Sequence, residues 1–240
     1  MDRLDKLLTE RGYGSRKEVQ RLIRSGAVCV NEAVCKQPDA KIDIDTDKLT
    51  VSGKAVDADK FVYIMMNKPA GVVSATEDRR DKTVIDLVPP EMRRPGLFPA
   101  GRLDKDTEGL LILTNDGDFA HRMLSPRKKV YKQYSAELNG EATEAMILRF
   151  EQGITLADGT KCLPATLTIP DPCQKNKIIV SICEGKFHQV KKMFAACGLR
   201  VVHLQRISIG NLYLDSNLTI GSCKMLTNLD IEDIFIGNIH

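Results

Sequence analysis

Gly101-Arg102-Leu103-Asp104-Lys105-Asp106-Thr107-Glu108-Gly109-Leu110-Leu111-Ile112-Leu113-Thr114 is the densest stretch of the chain. A charged segment bounded by glycines runs directly into an apolar stretch, the pattern of a loop feeding a buried strand. A strand end is a rigid mounting for a reactive side chain, and the glycines let backbone or substrate approach closely. Asn115-Asp116-Gly117 then signals a tight turn, and residues 118–124 read as a helix.

Working outward, residues 61–66 form an apolar run with strand character that Asn67-Lys68-Pro69-Ala70-Gly71 breaks. Residues 83–88 read as a short helix stopped by Pro89-Pro90. Downstream, residues 131–138 alternate as a strand does, and residues 141–150 are amphipathic at helical spacing. Further strands are predicted over residues 164–169, 177–183, 201–204 and 207–214. Residues 187–197 read as a helix with Val190, Met193 and Phe194 inward and a stop at Gly198. Thr227-x-x-Asp230 is a weaker helix start. Strands and helices mixed without regular βαβ alternation place the chain in the α+β class.

At 240 residues the chain has room for one large domain or two unequal ones. Its hydrophobic content of 42% and charged content of 28% are ordinary for a soluble globular protein. No stretch reaches the ~18 apolar residues of a membrane span. Met1-Asp2-Arg3-Leu4-Asp5-Lys6 lacks the apolar core of a secretory signal, so a cytoplasmic location is expected. The seven cysteines are odd in number and never spaced Cys-x-x-Cys, which indicates neither a disulfide framework nor a zinc cage. They read mostly as small core residues of a reducing compartment.

A formal net charge of +3 says little, but its distribution says more. Residues 11–24 carry Arg11, Arg16, Lys17, Arg21 and Arg24 against Glu18 alone, a local balance of +4. Residues 37–59 carry Lys41, Lys48 and Lys54 against Asp39, Asp43, Asp45, Asp47, Asp57 and Asp59, a balance of −3. Such separation suits one face to an anion, although charge clusters also serve simply as wetted surface.

The basic stretch lies in a small module. Leu4, Leu7 and Leu8 recur at helical spacing before Gly12-Tyr13-Gly14. Ser15-Arg16-Lys17-Glu18 is a capping box that opens a second helix, which runs to about Arg24 and ends at Gly26. On that helix Val19, Leu22 and Ile23 share one side, while Lys17, Arg21 and Arg24 share the other. Short strands are expected around residues 27–30 and 49–51. Ser15-Arg16, Leu22-Ile23 and Gly26-Ala27-Val28-Cys29-Val30-Asn31 together resemble the RNA-binding domain named after ribosomal protein S4. The resemblance covers about the first 55–60 residues. It implies that Arg16, Lys17, Arg21 and Arg24 meet RNA phosphates, contacts that position rather than read sequence. The chain is accordingly divided into a small N-terminal α/β RNA-binding module, residues 1–59, and a larger domain, residues 60–240.

The motifs of the larger domain resemble those of the pseudouridine synthases, in the branch that includes RsuA and modifies single ribosomal uridines. Lys68-Pro69-x-Gly71 matches the first motif, and Gly101-Arg102-Leu103-Asp104-x-x-Thr107-x-Gly109-Leu110 matches the one that holds the catalytic aspartate. Lys132-Gln133-Tyr134 matches the lysine–x–tyrosine motif. Glu184-Gly185-Lys186-Phe187-His188-Gln189-Val190-Lys191-Lys192-Met193-Phe194 matches the last, followed by Arg206-Ile207-x-Ile209-Gly210. The resemblance spans nearly the whole chain and implies a mixed, largely antiparallel-sheet catalytic domain. His188-Gln189-Val190-Lys191 stands where many members carry an all-arginine version. That departure points toward small-subunit over large-subunit ribosomal RNA.

The implied reaction detaches uracil from ribose, turns it and rejoins it through carbon-5, an isomerisation that needs no redox or group-carrying cofactor. Neither a cofactor nor a metal is expected, and no Walker loop is present in the sequence. By family match Asp104 is the catalytic carboxylate. It either attacks covalently or stabilises a cationic sugar, and the residues leave the two routes open. Taken alone, Arg-Leu-Asp also fits a surface salt bridge or turn. Lys191 is its implied cationic partner, with an exposed helix lysine as the alternative and Lys192 as the more solvated neighbour.

Tyr134 offers a ring to stack on uracil and a hydroxyl for proton movement at carbon-5, though taken alone a strand tyrosine is usually core. Arg102 either fills the space left by the flipped uridine or pairs with Asp104 or Asp106. His188 is expected to contact phosphate or to cap its helix. The expected partner of the chain is ribosomal RNA, naked or within an assembling particle, with no membrane and with the protein a monomer. Two further readings stand beside this one. The first is the same chemistry on a large-subunit uridine; the second is a noncatalytic rRNA-binding assembly factor.

Overall fold

A computed structural model describes residues 1–56, 59 and 61–236. Asp57 of the acidic stretch, Lys60 at the head of the expected second domain, and residues 237–240 lie outside the described residues. The chain forms two compact units, Met1–Val62 with Pro90–Leu97, and Tyr63–Pro89 with Phe98–His240. Residues 90–97, which the sequence reading left inside the larger domain, therefore group with the first unit.

The first unit begins with β1 (Asp2–Arg3), α1 (Leu4–Glu10) and α2 (Arg16–Arg24). Five short strands follow or flank: β2 (Val28–Val30), β3 (Ala33–Val34), β4 (Lys41–Ile42), β5 (Leu49–Val51) and β6 (Lys54–Ala55). The helix α2 starts where the sequence places it because both halves of the capping box form: Ser15 accepts from the Glu18 amide, and Glu18 accepts from the Ser15 amide. Val19 and Ile23 face inward and are buried with Leu4, Leu7, Leu8, Val28, Ile42, Leu49 and Val51. The strands pair antiparallel in the order β3-β2-β5-β6, with β1 and β4 forming a separate ribbon.

The second unit is built on a nine-stranded sheet. Its strands are β7 (Tyr63–Lys68), β8 (Phe98–Pro99), β9 (Glu108–Thr114), β10 (Lys132–Leu138), β11 (Thr166–Thr168), β12 (Lys177–Ile182), β13 (Val201–Ile209), β14 (Leu212–Tyr213) and β15 (Cys223–Met225). The helices α3 (Gly117–Leu124), α4 (Glu144–Gln152), α5 (Gln189–Ala195) and α6 (Asn228–Asp233) lie between them in sequence. The main path runs β11-β12-β10-β13-β9-β7-β15, with β14 on β13 and β8 on β9. Every pair in this sheet is antiparallel except β13 with β9, which pair in parallel through Gln205↔Glu108 and Arg206↔Gly109. The whole is mixed α+β with a largely antiparallel sheet.

That parallel seam is tight. A Cβ on Gly109 would lie 2.3 Å from the Arg206 carbonyl oxygen, and Gly109 itself has φ +99. Only glycine suits the position, which explains the second glycine of the quoted loop. Arg206 is buried across the seam, and its Nε donates to the Leu110 carbonyl at 2.7 Å.

The structure departs from the sequence reading in a few elements. Residues 201–209 form one strand instead of stopping at residue 204, because Gln205 and Arg206 pair across the seam. The strand ends at Gly210, φ +58, where a Cβ would stand 2.1 Å from the Ile234 carbonyl. Residues 83–88 contribute only a 3-10 turn, Ile85–Leu87. The helix expected from residue 187 begins at Gln189, since His188 takes the left-handed conformation at φ 53. The helix expected over residues 118–124 forms as α3, one residue earlier at Gly117, because Asp116 caps it by accepting from the Phe119 amide. Of the seven cysteines, all free, only Cys162 and Cys183 are buried; the others lie partly or fully exposed, so the core expectation fails for most. Among the described residues no helix is long and apolar enough to cross a membrane.

Candidate active site

The charged loop reaches its final form through a lysine inside the protein. Lys68 ends β7 and is fully buried. Its Nζ donates to four backbone carbonyls: Pro69 at 3.0 Å, Asp104 at 3.1 Å, Lys105 at 3.3 Å and Thr107 at 2.9 Å. A buried cation is costly unless its donors are filled, and these carbonyls fill them. Burial pulls the Lys68 pKa down to about 8, against the pull of Asp106, Asp104 and Glu108. Three of the four acceptors are in the 104–107 loop, so one side chain sets the loop's curvature. The Gly71 amide adds a bond to the Lys105 carbonyl at 2.7 Å. Ser74 exchanges two bonds with the Leu103 backbone, accepting from its amide at 3.0 Å and donating to its carbonyl at 2.9 Å.

Held this way, Asp104 turns its carboxylate toward the start of α5. Lys191 Nζ lies 3.3 Å from one oxygen and His188 Nε2 lies 3.5 Å from the other. Lys191 also donates to Asp106 at 2.5 Å, a hydrogen bond that holds the Asp106 carboxyl below the usual carboxylate range. One ammonium therefore bridges two carboxylates. The Asp104 side chain is 25% exposed, open enough to meet a substrate yet flanked by charge. Lys192, by contrast, faces outward and sits 3.6 Å from Asp158.

The loop before α5 is fixed by a buried carboxylate. Glu184 accepts from the Leu163 amide at 2.8 Å and from Gln189 Nε2 at 2.7 Å, and it pairs with the Lys186 ammonium. Gln189 returns its carbonyl oxygen to the Lys186 amide at 2.9 Å. His188 occupies the N-cap position of α5 but makes no side-chain cap bond; its ring goes to Asp104 instead.

Arg102, Asp104, Thr107, Tyr134, His188 and Lys191 border one open cleft, whose lining also includes the apolar Leu103, Ile182, Val190 and Leu204. Tyr134 is almost buried, and on the sheet it stands opposite Arg206 on β13 and Val180 on β12. The strand next to Tyr134 is the seam strand, and across the seam β9 carries the Asp104 loop at its head. The topology thus brings three distant motifs to one site. Arg102 is exposed and pairs with neither Asp104 nor Asp106. Lys132, two residues before Tyr134, is buried; burial and the charge of Arg206 pull its pKa down to about 8.

In the first unit, Lys17, Arg21 and Arg24 all stand exposed on α2. Arg16 is exposed too but also donates to buried Asp5 at 3.3 Å. Hydrogen bonds from Arg3, Gln20 and Arg16 hold the Asp5 carboxyl well below the usual carboxylate range despite its burial. Arg16 therefore has a structural attachment that its three neighbours lack. The sequence reading quoted Lys68 and Glu184 inside motifs but gave neither a task. A lysine closing an apolar strand, and a glutamate closing another, were the available signals.

Comparison with known proteins agrees with this geometry. Residues 62–196 match the RNA pseudouridylate synthase family, and residues 2–47 match the S4 domain. The chain is 48% identical over 231 residues to an uncharacterized RNA pseudouridine synthase, YtzG, of Bacillus subtilis, covering 96% of this chain and 97% of that one. It is 37% identical to ribosomal small subunit pseudouridine synthase A of Vibrio cholerae, covering 97% and 99%. It is 35% identical to ribosomal large subunit pseudouridine synthase B of Bacillus subtilis, covering 97% and 95%. Among solved structures, a pseudouridylate synthase shares 33% identity at a TM-score of 0.67, over 98% of this chain and 100% of that one. With the aspartate loop, the tyrosine strand and the lysine helix converging on one cleft, and an S4 domain matched at residues 2–47, the chain belongs to the RNA pseudouridylate synthase family and is an RNA pseudouridine synthase.

Proposed function

We propose that this enzyme isomerises a single uridine of small-subunit (16S) ribosomal RNA, with Asp104 as the catalytic carboxylate. The observation that carries the reading is the placement of the Asp104 carboxylate between the Lys191 ammonium and the His188 ring at the edge of a cleft that also holds Tyr134. In the reaction the N1–C1′ bond of uridine breaks and a C5–C1′ bond forms. The proton on carbon-5 leaves and a proton ends on N1, so atoms and charge balance within the nucleoside. Asp104 either forms a transient bond to the substrate or stabilises the cationic sugar, and in both routes it acts ionised. Lys191 sets its ammonium 3.3 Å from that carboxylate. Tyr134 supplies a ring against the uracil and a hydroxyl for the carbon-5 proton. The target base must leave its helix to reach the cleft, and exposed Arg102 is suited to the space it leaves.

Lys17, Arg21 and Arg24, with Arg16, meet RNA phosphates and hold the substrate without reading its sequence. His188-Gln189-Val190-Lys191 favours the small-subunit target. The large-subunit relative at 35% identity keeps the alternative target in view. The enzyme works in the cytoplasm as a monomer, and residues 1–59 and 60–240 serve as its RNA-holding and catalytic domains. Purified protein is incubated with unmodified 16S and 23S transcripts, which are then digested to nucleosides and mapped. Pseudouridine at one position of the 16S transcript is expected. Product confined to the 23S transcript would overturn the target assignment while leaving the chemistry intact.

A further inference from the structure

Phe187 stands 66% exposed in the loop between β12 and α5. A lone exposed hydrophobic side chain is ordinary on a protein surface, but three observations set this one apart. The first is that its backbone is held firmly. Glu184 and Gln189, both buried, fasten the loop through the Leu163 amide at 2.8 Å, the Lys186 amide at 2.9 Å and their own bond at 2.7 Å. His188 next in chain adopts the left-handed conformation at φ 53, which residues with a Cβ rarely take and which tends to mark functional sites.

The second observation is position. The Phe187 ring stacks on the His188 imidazole, with centroids 3.8 Å apart and planes 19° apart. The same imidazole lies 3.5 Å from Asp104. One ring therefore separates Phe187 from the catalytic carboxylate. The third is charge. The Lys192 ammonium lies 5.3 Å from the centre of the Phe187 ring, and Lys186 precedes it in chain with its side chain partly exposed. An aromatic face beside cations is the surface that single-stranded nucleic acid takes, with a base on the ring and phosphate on the cations. Extraction of a uridine also leaves its neighbours without a stacking partner.

We infer that Phe187 is a stacking platform for a nucleobase adjacent to the target uridine, with Lys192 taking a flanking phosphate. This rests on the reading of the Asp104 cleft as the uridine site. Because the chain contains no tryptophan, Phe187→Trp installs a single tryptophan at the platform, excited selectively away from the tyrosines. The variant is titrated with unmodified small- and large-subunit rRNA transcripts, while Phe187→Ala and Phe187→Tyr are assayed for pseudouridine formation. Saturable quenching of the Trp emission is expected. Phe187→Ala should raise KM by about 5- to 150-fold, the range of one lost base stack. Its kcat should stay within about threefold, and Phe187→Tyr should recover most of the KM. Unchanged emission, a wild-type KM in Phe187→Ala, or a loss confined to kcat would overturn the platform. The last of these would make Phe187 a positioning residue for His188. A KM effect seen only on assembling particles, and not on naked transcript, would assign the ring to a protein partner and equally overturn it. Absence of product from the wild-type enzyme would instead count against the underlying reading, and the quench decides the platform either way.

Discussion

The Lys68 ammonium lies 3.1 Å from the backbone carbonyl oxygen of Asp104, and that bond is one of four tying a fully buried lysine to the backbone around the Asp104 carboxylate. The side chain never reaches the cleft. It acts by fixing where the cleft's acid stands, which makes it a positioning residue.

Lys68→Met should therefore damage both stability and turnover. Four carbonyls lose a donor in the interior, and the expected cost is on the order of 2–4 kcal/mol. Urea denaturation measures it. Turnover should fall by about 10- to 100-fold with a smaller change in KM, because the carboxylate is misplaced while the RNA-holding surfaces persist. A variant of wild-type stability and kcat would remove the positioning role.

Lys132 gives a pH signature. Burial and Arg206 pull its pKa down to about 8 in the fold, from 10.5. Between those values the unfolded chain binds more protons than the folded one, so the stability of the wild-type protein rises with pH there. Below about pH 8 the penalty of the buried charge is present in full. Relative to Lys132→Met, the wild-type protein should gain on the order of 1–3 kcal/mol between about pH 7 and about pH 10. Lys68 and the partly buried Cys223 thiol, pushed up to about 11 by desolvation, also shift between folded and unfolded states. Both are common to the two proteins and cancel in the comparison. Urea midpoints of the pair at the two pH values supply the test, and a flat or falling difference would contradict it.

Gly109→Ala should break the seam of the sheet. The new methyl would meet the Arg206 carbonyl at 2.3 Å, backbone against backbone, at φ +99. A cost above about 3 kcal/mol is expected, enough to lower the thermal midpoint sharply or to leave the chain insoluble. A melting curve that overlays the wild type would show that the two strands can part without penalty.

The exposed cations of α2 predict a salt effect. Neutralising Arg21 and Arg24 together should weaken RNA binding and flatten the slope of log K against log salt by about 1.4–1.8, one counterion term per lost phosphate contact. Filter binding across a salt series reads this directly. Arg16→Gln should act differently, since Arg16 also donates to Asp5 at 3.3 Å, and should lower stability as well as affinity.

Much of this was legible in the sequence where a local rule is strong. Ser15 and Glu18 announce α2, the Val19 and Ile23 face finds its core, and strict alternation over Lys132–Leu138 appears as a strand buried at every second residue. The reading weakened where a residue's task is set by distant chain. Arg206 falls in the gap between the strands expected over residues 201–204 and 207–214, yet it sits within β13, buried at the parallel seam and bonded to Leu110. His188 looks like a residue of the helix, but it turns left-handed so that its ring can reach Asp104. Lys68 closes an apolar run, and its four acceptors come from the residue next to it and from a loop more than thirty residues downstream. The edge strand β15 pairs through Cys223 and Met225 around an exposed Lys224, without the alternation that would have marked it.

The most direct test is the nucleoside yield of Asp104→Asn against unmodified rRNA. The substitution keeps the size of the side chain and removes its charge beside Lys191. Pseudouridine formation should fall by about four orders of magnitude or more, while RNA affinity and the melting temperature stay close to wild type. Product formed at the wild-type rate by that variant would contradict the assignment of Asp104 as the group on which the chemistry turns.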